Sequence, residues 1–66
     1  MAKSMKTNLK VTYEDVYQEF RRRHPNLSKR IRAYSPYGYA TIRMYDPLMR
    51  RYILYNYDDS RAYYTD

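Results

Sequence analysis

Arg43 stands between Tyr39 and Tyr45, and Arg50 and Arg51 follow a few residues later. Planar guanidinium groups interleaved with tyrosine rings suit one chemistry above others. The guanidinium can grip a phosphate with two parallel hydrogen bonds, and a ring can stack on a base or a sugar. The stretch from 39 to 57, YATIRMYDPLMRRYILYNY, holds five tyrosines and three arginines. A run of Arg21, Arg22 and Arg23 and a cluster of Lys29, Arg30 and Arg32 add positive charge elsewhere. Nine of the thirteen basic residues are arginine, the better residue for bidentate phosphate contact. The same residues have a plainer use: tyrosines can fill a core, and arginines can form a solvated face or compensate a helix C-terminus.

Bond-making chemistry is poorly supplied. The chain has no cysteine, and His24 is its only histidine, with no partner in a recognisable motif. Glu14 with Asp15, and Asp58 with Asp59, suit a helix start and a turn rather than an acid–base pair. With one glycine, Gly38, there is no glycine-rich phosphate loop. The expectation is a protein that is not an enzyme, with no catalytic residue, no metal site and no cofactor.

Length and charge set the frame. Sixty-six residues allow one small domain with a marginal core. Without cysteines no disulfide can staple it, which fits a reducing, cytoplasmic setting. No apolar run approaches the roughly 18 residues of a membrane span, so no membrane partner is expected. Thirteen basic against seven acidic residues leave a net charge of +6, which favours an anionic partner, nucleic acid being the commonest.

Residues 1–11 read as a flexible basic arm and 12–66 as the domain. Thr12 with Asp15 resembles a capping box. Tyr13, Val16, Tyr17 and Phe20 recur at helical spacing, so a helix is predicted from about 13 to 23, stopped by Pro25. Residues 26–34 fit either a helical face or a strand; the preferred reading is a helical turn near 26–30 and a strand into Tyr34. The segment SPYG, residues 35–38, reads as a turn. Residues 39–45 alternate: Ala40, Ile42 and Met44 on one face, Tyr39, Thr41, Arg43 and Tyr45 on the other. A turn opening at Asp46–Pro47, a strand at 51–57, a turn at 58–60 and a short edge strand at 61–65 complete an α+β fold. One N-terminal amphipathic helix packs on a three- or four-stranded antiparallel meander.

The hairpin after Tyr45 has two candidate registers. A four-residue loop, 46–49, pairs Tyr45 with Arg50 and Ile42 with Ile53, and sends Ile53, Tyr55 and Tyr57 to the core. A five-residue loop reverses that strand. The shorter loop is preferred, because four-residue hairpin loops are commonly built on type I turns. Either Leu48 or Met49 is expected to fold back onto the sheet edge.

The order VYQEFRRRHPNL, YSPYGYATIRMY, YILYNY resembles small uncharacterised proteins of Gram-positive bacteria, their phages and mobile elements. In these a helix ending near a Phe-Arg-Pro type segment precedes a proline-containing turn and a hairpin. The resemblance spans about residues 13–64 and implies an accessory or regulatory protein, with no activity and no site residue attached.

The leading expectation is a small nucleic-acid-binding module that favours single strands or RNA. Arg43, Arg50, Arg51 and the run Arg21, Arg22 and Arg23 would meet phosphates, and Tyr39 and Tyr45 would stack. The alternative is a non-catalytic protein-interaction or regulatory module that uses the same open sheet face on a protein partner. Either could act as a monomer or as a homodimer paired through an edge strand.

Overall fold

The computed structural model describes residues 11–65. Apart from Val11, the expected basic arm lies outside the described residues, as does Asp66. The element order is α1 (Tyr13–Arg23), α2 (Pro25–Ser28), β1 (Tyr34–Gly38), β2 (Thr41–Asp46), β3 (Arg51–Asn56) and β4 (Arg61–Thr65). The four strands form one antiparallel sheet in the order β1-β2-β3-β4, so the fold is α+β with a meander.

Helix α1 forms where capping and periodicity agree. The Thr12 hydroxyl accepts from the Asp15 N–H at 3.1 Å, and the Asp15 carboxylate accepts from the Thr12 N–H at 3.1 Å, closing the capping box. Its apolar stripe delivers Val16 and Phe20 to the core, where they meet Ile31, Ile42, Met44, Ile53 and Tyr55. Pro25 ends α1 and also opens α2, since a first-turn proline gives up an N–H that has no helical partner. Two tyrosines tie the helix to β1. The Tyr13 hydroxyl donates to the Gly38 carbonyl at 3.0 Å, and the Tyr34 hydroxyl donates to Glu14 at 3.0 Å.

The first hairpin differs from expectation. SPYG is not a turn but the body of β1, and the chain reverses over Tyr39 and Ala40. Proline is tolerated there because β1 is an edge strand, where a missing N–H faces outward. The ladder slips between Pro36 and Gly38, leaving Tyr37 bulged, and Ala40 takes the left-handed conformation at φ 48°. Tyr39 is therefore a turn residue, not part of a strand running from 39.

The second hairpin has the expected loop length but different partners. Tyr45 lies opposite Tyr52, not Arg50, and Ile42 opposite Tyr55, not Ile53. The loop is 47–50, and the offset of two residues leaves every side chain on its expected face. Ile53 and Tyr55 are buried, and Tyr57 is half-buried against the core. Neither Leu48 nor Met49 folds back; they are 67% and 47% exposed at the tip.

The second and third hairpins share one construction. Asp46 and Asn56 end their strands, and each side-chain oxygen accepts from a loop N–H: Leu48 at 3.0 Å for Asp46, Asp59 at 3.1 Å for Asn56. Each carbonyl also accepts from the fourth loop residue, Arg50 at 2.7 Å and Ser60 at 2.9 Å. Those two residues take positive φ, 60° and 56°, and an arginine opens the next strand in both cases.

Candidate functional site

The register sorts the strands into two faces. On the side turned from α1, Ser35, Arg43, Leu54 and Tyr63 form one row across the sheet. Tyr45, Tyr52 and Thr65 form the row nearer the second hairpin tip, and Thr41, Asn56 and Arg61 the row at the other end. This open face carries three tyrosines and two arginines and no aspartate or glutamate. The carboxylates of the described residues lie on α1 (Glu14, Asp15, Glu19), on the helix-facing side of β2 (Asp46) or in the last loop (Asp58, Asp59).

Rings and guanidinium groups interlock on this face. The Arg43 guanidinium sits 4.7 Å from the centre of the Tyr52 ring, and that of Arg61 sits 5.0 Å from the Tyr63 ring. Tyr45 meets Tyr52 edge-on at 5.1 Å. Exposed contacts of this kind are each worth about 0.5–1 kcal/mol, enough to bias side-chain position while leaving rings and charges open to a ligand.

The residues singled out from the sequence divide among several places. Arg43 and Tyr45 are on the open face. Tyr39 is exposed in the turn beyond it, and Arg50 is exposed at the second hairpin tip. Arg51 starts β3 on the helix-facing side, over the Tyr64 ring at 5.5 Å. The run Arg21, Arg22 and Arg23 is on α1, across the sheet from the open face. Arg22 and Arg23 both bind Glu19, which holds that carboxyl below its ordinary range, and Arg21 lies 5.9 Å over the Tyr17 ring. The sequence alone did not single out Tyr52, Tyr63 and Arg61. Alternation with the second hairpin's parity points to Tyr52; the other two need the register of β4.

A second charged feature is a buried carboxylate. Asp46 has no exposed surface. Its oxygens accept from Arg30 Nε at 2.7 Å and Nη2 at 3.0 Å, from the Tyr64 hydroxyl at 2.7 Å and from the Leu48 N–H. The Arg30 guanidinium foremost, with the Tyr64 hydroxyl and the loop N–H groups, holds the Asp46 carboxyl well below the usual carboxylate range, against the opposing effect of burial. In turn Asp46 raises the Tyr64 hydroxyl above the ordinary tyrosine value. One carboxylate thus ties together the connector after α2, the second hairpin and the last strand.

Among the described residues two buried polar atoms have no hydrogen-bond partner, the Tyr55 hydroxyl and His24 Nε2, whose rings meet edge-on at 5.6 Å. Among the described residues no group of three or more His, Asp or Glu side chains could hold a metal ion, and no helix is long and apolar enough to cross a membrane. No family model, curated protein or solved structure matches the chain.

Proposed function

We propose that the chain is a small basic nucleic-acid-binding module that takes single-stranded nucleic acid or RNA on its open sheet face. One observation carries the reading: the uncovered face combines Tyr45, Tyr52, Tyr63, Arg43 and Arg61 with no carboxylate among them. Bases stack on such rings with little regard to sequence, and arginines between them meet the backbone. Antiparallel sheets that present aromatics serve single-stranded RNA in the same way. Arg43 and Arg61 contact phosphates here, the three tyrosines stack, and Arg50 extends the positive path past the hairpin tip.

The test is titration of a labelled single strand and a labelled duplex at two salt concentrations, with Tyr45→Ser/Tyr63→Ser beside the wild type. Both tyrosines are exposed, so the variant folds. Loss of two stacking rings at roughly 1–3 kcal/mol per base weakens single-strand binding by at least about thirtyfold. Arg43→Ala lowers the salt slope by about 0.7, the value for one phosphate of a single strand. Unchanged affinity in the folded double variant would sink the reading.

A second reading has its own observation. Leu48 and Met49 expose two apolar side chains side by side at the hairpin tip. A regulatory module that docks on a protein would use them with the tyrosines, as the accessory role implied by the resemblance would require. Its binding would respond weakly to salt and strongly to Leu48→Ser.

A further inference from the structure

A cleft of about 550 Å³ opens at the second hairpin's end of the domain, on the side opposite the tyrosine face, lined by Lys29, Arg30, Ile31, Arg32 and Pro47. One wall is the connector after α2. It is closed by hydrogen bonds from Arg30 N–H to the Leu27 carbonyl and from Ile31 N–H to the Ser28 carbonyl, and Ile31 anchors it in the core. The other wall is the start of the 47–50 loop. The Arg30–Asp46 ion pair joins the two, so the opening is held in shape before any ligand arrives.

Among the described residues its charge is out of balance. Lys29, Arg30, Arg32 and Arg50 lie around this end, and Asp46 is the only described carboxylate placed among them. Asp46 is committed to Arg30 and Tyr64. Lys29, Arg32 and Arg50 are exposed and meet no carboxylate among the described residues. Cations crowded round a concavity repel one another, and an anion with several acceptor oxygens relieves that repulsion. Two arginines and a lysine beside a preformed cleft suit a tetrahedral oxyanion, since the guanidinium fork matches adjacent oxygens and the ammonium supplies a point charge.

We propose that this cleft binds a phosphate group, and that the phosphate belongs to the strand held on the tyrosine face. The second part rests on the function proposed above. Tyr45 and Asp46 are consecutive residues of β2 that face opposite ways, so the Tyr45–Tyr52 pair and the cleft lie back to back at one end of the sheet. A strand that stacks on the tyrosines and turns round the tip past Arg50 brings a phosphate to Lys29 and Arg32. A terminal phosphate and an internal phosphodiester share this chemistry.

The experiment uses the full chain, labelled for two-dimensional amide NMR, titrated with inorganic phosphate against chloride at equal ionic strength. Expected are saturable shifts confined to residues 29–32 and 48–50. Lys29→Gln/Arg32→Gln, two exposed positions, weakens that binding about tenfold or more. Arg43→Gln/Arg61→Gln, on the other face, leaves it unchanged. Shifts that do not saturate, that spread over every basic surface, or that survive in the cleft variant overturn the site. A second arm titrates a single strand with and without a 5′ phosphate. Weaker binding by the cleft variant supports the strand as source: a loss seen only with the 5′ phosphate assigns a terminal group, a loss with both an internal one. Phosphate bound in the cleft with strand affinity unaffected by the cleft variant overturns that source. Phosphate bound while the wild type takes no strand leaves the cleft standing and defeats the reading of the tyrosine face.

Discussion

Replacing Asp46 by asparagine tests the buried carboxylate most directly. The shape is kept and the charge removed. If the amide oxygen stays toward Leu48 N–H and Arg30 Nε, the amide nitrogen replaces the oxygen that met Arg30 Nη2 and Tyr64. The Tyr64 hydroxyl can reverse and accept; Arg30 Nη2, a donor only, cannot. Breaking a buried ion pair costs about 3–5 kcal/mol. Here the loop contacts survive and the Arg30 side chain is 33% exposed, so its charge keeps some water and the loss falls to about 2–3 kcal/mol. For a domain this small, that lowers Tm by about 10–20 °C. The gap also depends on pH. The folded state holds Asp46 ionised to lower pH than the unfolded state, near pH 3.9. Its contribution is therefore complete above that pH and lost as pH falls toward the folded value. Thermal unfolding by circular dichroism from pH 7 down to pH 2 should show the wild type converging on the variant in acid. A variant within about 2 °C of wild type at pH 7, or a gap that stays constant with pH, would refute the reasoning.

Phe20→Ala empties a fully buried site beside Tyr55, at a ring distance of 5.3 Å, and should cost about 3–5 kcal/mol; loss of a dispersed NMR spectrum is the expected readout. Arg50→Gly relieves a left-handed residue and should raise stability by about 0.5–1 kcal/mol in urea denaturation while weakening single-strand binding, which separates the two roles of that position. Tyr55→Phe removes a buried hydroxyl without a partner and should be neutral or stabilising by about 1 kcal/mol. Burial raises the Tyr55 hydroxyl, and the nearby Ser60 hydroxyl, which donates to the Tyr57 carbonyl instead, opposes this only in part. The folded state thus holds that proton more tightly. The associated stability is present below about pH 10 and lost as pH rises through the folded value, so the variant should lose less stability in alkali.

How much of this was legible in the sequence depended on how local the cause was. Helix α1 was, because Thr12, Asp15 and the spacing of Val16 and Phe20 act within a few turns. The start of β2 was not. Pro36 and Gly38 look like turn residues, yet an edge strand accepts that proline and the real turn uses Tyr39 and Ala40, neither of them a turn former. Arg43 and Tyr45 were placed by alternation alone, whereas Tyr63 and Arg61 required two successive hairpin registers. Asp46 escaped notice because an aspartate before proline ordinarily opens a turn, which it also does here. Its partners Arg30 and Tyr64 lie 16 residues before it and 18 after, beyond any local pattern.

The two edges of the sheet are unequal, and the inequality would give any self-association a direction. Strand β1 carries Pro36, which offers no N–H, and a bulge at Tyr37 that breaks the even spacing of its outward groups. Strand β4 carries neither device over Arg61–Thr65. A second chain adding its backbone to this sheet therefore has β4 as its landing strand. If its own β4 does the pairing, the two open edges cover one another and only blunted edges remain outside. Stacking of copies into a filament needs β1 to accept a further strand, and Pro36 and the bulge obstruct that step. Replacing Pro36 with a β-former such as valine would thus threaten solubility more than stability.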